Sequence, residues 1–63
     1  MLSILIPTYN YNIEALVTEL HAQATACGID FEILCYDDCS TNLDLIASNK
    51  SINLLKNTSY KVL

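Results

Sequence analysis

The chain contains no arginine and only three lysines against seven acidic residues, giving a net charge of −4 over 63 residues. A basic face able to displace counterions from phosphates is therefore missing, and nucleic-acid binding is not expected. The same balance gives no support to docking on an anionic membrane surface. Glycine is scarce too, Gly28 being the only one. One glycine cannot build the dinucleotide-binding G-x-G-x-x-G loop or the P-loop, so any nucleotide must be held by other means. A single histidine, His21, and three cysteines, Cys27, Cys35 and Cys39, make a poor metal or nucleophile set. The cysteines are odd in number and lack zinc-ribbon spacing. They read as small buried or half-buried thiols, and their reduced state suits a cytoplasmic location. No stretch reaches the ~20 apolar residues that span a bilayer. Leu2 already opens a strand, which leaves no room for a signal peptide ahead of it.

What is abundant is apolar surface, with 52% of residues hydrophobic. A domain of this size buries only about 60% of its unfolded surface, and small domains usually need a disulfide, a metal or a partner as a staple. None is evident. The surplus implies that a partner or the remainder of a longer chain covers what this segment cannot bury.

The apolar residues are ordered. Leu2 to Ile6 is a continuous apolar run that reads as a strand buried on both faces, with Pro7 marking its exit. Tyr9-Asn10-Tyr11-Asn12 is turn-like, and Asn12 is a good helix N-cap. Ile13, Leu16, Val17, Leu20, Ala24 and Cys27 then follow helical spacing, with Glu14 in the first turn and Gly28 where a left-handed C-terminal residue is wanted. Ile29 to Tyr36 forms a second strand with its core at Phe31, Ile33, Leu34 and Tyr36. Strand, helix and strand within ~35 residues make a right-handed βαβ unit. Thr41-Asn42-Leu43-Asp44 fits a capping box, predicting a second helix to about Lys50. Ile52 to Leu55 suits either a short strand or a continuing helix. The polar Lys56-Asn57-Thr58-Ser59 leads into a third strand at Tyr60, and a strand lost after four residues is expected of a chain that is cut. The expected class is α/β with mostly parallel strands.

Ligands of open α/β sheets bind outside the carboxyl ends of the strands. Two parallel strands here bring Thr8, Tyr9, Asp37 and Asp38 to one rim. Thr8 offers a hydroxyl and Tyr9 an aromatic face on which a base can stack, while Tyr11 and Tyr36 are expected to pack. Asp37 and Asp38 are adjacent, so in a strand they point to opposite faces and do not form an acid/base dyad. One then holds the loop and the other meets a ligand, or both cap the second helix or face solvent. Asp30 and Glu32 superficially resemble a chelating pair, but they lie at the opposite end of the sheet and read as a solvated strand entry.

Ser3-Ile4-Leu5-Ile6-Pro7-Thr8-Tyr9-Asn10 and Tyr36-Asp37-Asp38-Cys39-Ser40, in this order and one helix apart, resemble the start of family 2 glycosyltransferases. Those enzymes open with a strand ending in a Pro-Thr-Tyr-Asn-type turn and follow it with a strand ending in Asp-Asp-Gly-Ser; Cys39 replaces the glycine. The resemblance covers nearly the whole chain. It implies the N-terminal βαβ(αβ) portion of a GT-A, Rossmann-like, nucleotide-sugar-binding domain, with residues 1–63 a partial nucleotide-binding half. Pro7, Thr8 and Tyr9 would line the base pocket, with Thr8 and Tyr9 on base or ribose. Asp38 would accept from uracil N3–H, Asp37 would support it, and Ser40 would hold the loop or cap the helix. The implied partner is a nucleotide-sugar donor, a UDP-sugar, bound for an inverting transfer to an acceptor. In the full-length enzyme a later Asp-x-Asp would bind Mg or Mn, and a further acid would activate the acceptor. These 63 residues contain no Asp-x-Asp, so the segment alone is expected to be inactive. Two other readings stand beside this one. A receiver-like signalling domain also places an acidic pair at a strand end, and a non-catalytic remnant could persist as an interaction module or homo-oligomer pairing through its sheet edge.

Overall fold

The computed structural model describes residues 1–63 throughout. Its elements run β1 (Leu2–Thr8), α1 (Glu14–Ala26), β2 (Phe31–Asp37), α2 (Leu43–Lys50), a 3-10 turn (Ser51–Leu54) and β3 (Thr58–Val62). The strands are parallel in the order β1-β2-β3, a Rossmann-like topology. Across the sheet Ile4, Ile33 and Thr58 form one row, Ile6, Cys35 and Tyr60 the next, and Thr8, Asp37 and Val62 the last, the β2 residue lying in the middle of each. These rows face the helices. Ile33, Cys35, Phe31 and Tyr60 from the sheet join Ile13, Val17, Ala24 and Ile52 in one core, with Ile4, Ile6, Leu20, Ile46 and Leu55 packed around it.

Both crossovers land on that one face, and this corrects the expectation that β1 is buried on both. Leu5 is 63% exposed and Tyr36 42% exposed on the other face. A continuous apolar run marks a strand able to be covered twice; with two connections of the same hand following one direction of strand order, only one face receives helices. Tyr36 is accordingly no core residue, and Cys35 takes that place. Pro7 does not end the strand either. Leu2 N–H donates to Asp30 O, and Thr8 O accepts from Asp38 N–H. Even-numbered residues of β1 thus turn their main chain to β2, while Pro7 turns toward the free edge, where its missing N–H breaks no ladder bond.

The helix ends follow local chemistry. The N-cap of α1 is Ile13, one residue later than expected and without a side-chain cap bond, while Asn12 Oδ1 accepts from Glu14 N–H at 2.9 Å, satisfying one orphan donor of the first turn. At the other end Gly28, at φ +67, lets its N–H reach Thr25 O at 3.1 Å, the left-handed ending anticipated there. Leu16 and Cys27, expected on the apolar stripe, are exposed. His21 is a tie between elements: its Nε2 hydrogen-bonds Lys56 O at 2.9 Å, and its ring meets Phe31 edge-on at 5.4 Å. For α2 the N-cap is Asn42, one residue later than the capping box indicates. Its Oδ1 accepts from Asp44 and Leu45 N–H, each at 3.1 Å. The segment from Ile52 takes the 3-10 form and β3 follows the polar lead-in. All three cysteines are free thiols, but only Cys35 is buried; Cys27 and Cys39 are exposed. Burial pushes the Cys35 thiol up to about 11, which keeps it un-ionised and unreactive at neutral pH. No helix is long and apolar enough to cross a membrane.

Candidate functional site: the rim at the ends of β1 and β2

Thr8 and Asp37 stand side by side as the last residues of their strands, and Asp38 N–H donates to Thr8 O at 2.9 Å. Beyond that bond the chains part into two loops, residues 9–13 and 38–42. The rim between them is a shallow surface with no enclosed cavity.

Strand alternation sends the two acids apart. Asp37 faces the helices and is 0% exposed. Its Oδ1 accepts from Ser40 N–H at 2.7 Å and from the Ser40 hydroxyl at 2.5 Å; its Oδ2 accepts from the Tyr60 hydroxyl. Burial pushes this carboxyl up, but the Ser40 and Tyr60 hydrogen bonds outweigh it and hold the group below the ordinary carboxylate value. Tyr60 is pushed up to about 12, by burial first and by the Asp37 carboxylate second. Asp37 is thus an ionised, fully buried group whose two oxygens are committed to Ser40 and Tyr60. Asp38 faces solvent, and its carboxylate makes no hydrogen bond or ion pair within the chain.

The other residues divide in the same way. Tyr9 is 57% exposed, its ring available to stack. Pro7 lies on the open face. The Ser40 hydroxyl is consumed inside the loop, donating to Asp37 and accepting from Asn10 N–H at 2.7 Å. Thr8 is buried, and its Oγ1 has no hydrogen-bond partner. An unpaired buried hydroxyl costs about 1–3 kcal/mol, so Thr8→Val, which keeps the shape, is expected to stabilise the chain by about 1 kcal/mol. A thermal melt followed by circular dichroism checks this. For a domain of this size the midpoint should rise by roughly 4–8 °C; a fall would mean that the hydroxyl is paired in solution. Tyr11, expected to pack, is 67% exposed, because what its loop anchors is its carbonyl.

That anchor is one of three features that sequence reasoning missed. Asn49, buried in α2, donates from Nδ2 to Tyr11 O at 2.8 Å and accepts at Oδ1 from Ile13 N–H at 2.9 Å. Tyr60 closes the Asp37 network from β3. Asn10, at φ 49, spans the two loops: its Oδ1 accepts from Thr41 N–H at 2.8 Å and Asn42 N–H at 3.2 Å, and its Nδ2 donates to Thr41 Oγ1 at 3.3 Å. The one available signal was compositional, since Asn is tolerated in left-handed turns and is a weak helix former.

Cys39 stands where the resembling family has glycine. It adopts a left-handed backbone at φ 57, at an intrinsic cost of about 1–2 kcal/mol that glycine avoids, and its thiol donates to Leu63 O at 2.6 Å. No three His, Cys, Asp or Glu side chains converge on a point able to hold a metal ion. With Asp37 buried on Ser40 and Tyr60 and Asp38 alone outward, the residues of this rim do not fit a divalent cation. No family model, curated protein or solved structure matches the chain, and the rim's chemistry rests on its own residues.

Proposed function

We propose that this rim is the base-recognition part of a nucleotide-sugar site, with a UDP-sugar as donor, in an inverting glycosyltransferase of the family 2, GT-A kind. The observation that carries the reading is the split between neighbouring acids: Asp37 is spent on the scaffold, while Asp38 is exposed on the same rim as the exposed Tyr9. An ionised carboxylate is an acceptor only. Its natural match among bases is one with an imide or amide N–H, such as uracil N3–H, while the Tyr9 face supplies stacking. Thr8, buried on the helix side, and Pro7, on the open face, flank the end of β1 that carries Tyr9, and Ser40 keeps the second loop in shape. Metal and acceptor chemistry belong to residues elsewhere in the full-length enzyme, and a cytoplasmic location goes with this reading.

A charge-assisted hydrogen bond is worth about 1.5–3 kcal/mol and a stacked base about 1–3 kcal/mol. Together they correspond to a Kd on the order of 1 mM, and no lysine among these residues adds a phosphate contact. The test is a titration of the chain with UDP and CDP, followed by NMR shifts of the 38–42 amides. UDP should bind in the millimolar range, and CDP, whose base presents an acceptor at N3, should bind several-fold more weakly. Equal affinities, or no binding of UDP, would reject the reading.

The burial of Asp37 against Ser40 and Tyr60 weighs against a receiver-like domain, which needs its acidic cluster free. An interaction module draws support from the open face around Leu5, Leu34 and Tyr36. Strands of seven, seven and five residues offer a face of about 300 Å² there, against the ≈ 800 Å² per partner of a standard interface. The sheet edges are blunted as well: Pro7 removes a donor from β1, and on β3 Asn53 Oδ1 accepts the Tyr60 N–H at 2.8 Å. Pairing through either edge is disfavoured.

A further inference from the structure

We infer that Asn10 is a positioning residue that fixes the separation of Tyr9 and Asp38 by latching the first loop to the second. The inference rests on the base-recognition reading and goes beyond it to a residue that contacts no ligand. Asn10 uses its main-chain N–H, both Oδ1 lone pairs and its Nδ2 on the facing loop, at Ser40, Thr41 and Asn42. Its left-handed φ of 49 turns the main-chain N–H and the side chain toward that same loop. The far side of the latch is fixed in turn. Ser40 is held by the buried Asp37, which Tyr60 ties to β3, and Asn42 caps α2. Tyr9 precedes Asn10 directly, and Asp38 lies two residues before Ser40 along the chain. Each outward-facing group of the rim therefore sits next to a latch member.

The same contacts explain the shifted cap of α2. Thr41, the residue that a capping box would use, spends its N–H and Oγ1 on Asn10, so capping falls to Asn42. Breaking the latch leaves the β1–β2 ladder whole but frees two loops that a base must then order. Ordering costs of this kind, paid once per freed side chain, amount to roughly tenfold in affinity.

Two variants separate the backbone from the side chain. Asn10→Gly keeps the left-handed conformation and removes the side-chain bonds. Asn10→Asp keeps the acceptors, and Thr41 Oγ1 then donates to the carboxylate. Each is followed by hydrogen exchange at the Thr41 and Asn42 amides and by UDP titration, under conditions where circular dichroism shows a folded chain. N10G is expected to lose protection at both amides and to bind UDP about tenfold more weakly; N10D is expected to restore both. Retained protection in N10G, lost protection with unchanged UDP affinity, or no rescue by N10D would each overturn the inference. If the unaltered chain itself fails to bind UDP, the base-recognition reading falls, and the inference falls with it as a statement about a binding rim. The exchange data then still report whether Asn10 joins the loops.

Discussion

Asp37→Ala is expected to abolish cooperative folding at 25 °C. The carboxylate it removes is fully buried and accepts from Ser40 N–H, Ser40 Oγ and Tyr60 Oη. Alanine leaves those donors without an acceptor, at about 1–3 kcal/mol for each that stays dry. A chain of this length has roughly 3–9 kcal/mol of stability in all, at 0.05–0.15 kcal/mol per residue. The loss is therefore of the same size as the whole. Asp37→Asn is the informative companion: its carbonyl can still serve Tyr60, but its NH₂ then meets the donors of Ser40, so a lowered melting midpoint with a surviving transition is expected. A melt of D37A within a few degrees of the unaltered chain would show that this network does not hold β2 to β3.

The same group sets a pH dependence whose sign is fixed by its direction of shift. The folded-state value of Asp37 is depressed relative to about 3.9 in the unfolded chain. Its contribution is present in full above that unfolded value and is lost as pH falls through the folded one. The melting midpoint should therefore drop on acidification below about pH 4, and this part of the drop should vanish in D37N. Tyr60 runs the other way. Its folded value is raised to about 12, so its contribution holds below the unfolded value of about 10 and fades as pH rises toward the folded one.

Asp38→Ala, one residue along, should have the opposite profile: an unaltered fold and lost UDP binding. Asp38 is exposed and its side chain has no partner within the chain, so its removal should change stability by less than about 0.5 kcal/mol. A hydrogen bond from base to carboxylate is worth about 1.5–3 kcal/mol, which is ten- to a hundredfold or more in Kd. From a millimolar start that puts UDP beyond the range of titration. Asp38→Asn sharpens the result. Its amide can accept from uracil or, flipped, donate to cytosine N3, so UDP and CDP should converge. Unchanged UDP affinity in D38A would remove Asp38 from the base contact.

The contrast between these two acids shows how far the sequence could be read. Period-two alternation is enough to place Asp37 and Asp38 on opposite faces, because it depends on adjacent residues alone. Which face is covered depends on where the crossovers land, and that is a property of the whole sheet. For the same reason the expectation of a doubly buried β1 failed at Leu5, while the left-handed end of α1 at Gly28, governed by neighbours within a few positions, was legible, and its start was legible to within one residue, the N-cap being Ile13 and not Asn12. The Asn10 contacts to Ser40 and Thr41 and the Asn49 bridge to Tyr11 join residues 30 to 38 positions apart. No local pattern encodes such pairs. An asparagine in a turn and another in a helix look unremarkable until the fold brings their partners to them.

The uniform register of β1 on β2, in which Ser3 meets Glu32 across 29 positions, also constrains how the chain assembles. Neither strand has a local pairing partner, so no rung of the ladder forms until α1 and its turns have closed a loop of that length. Loop closure of this kind must be completed before any contact rewards it, which makes parallel sheets slow to nucleate. The contacts between residues 9–13 and 38–42 lie at the far end of this ladder and can form only once the strand ends are in place. They span 30 to 32 positions, so the rim depends on the same long closure that the ladder needs and gains nothing from local structure alone.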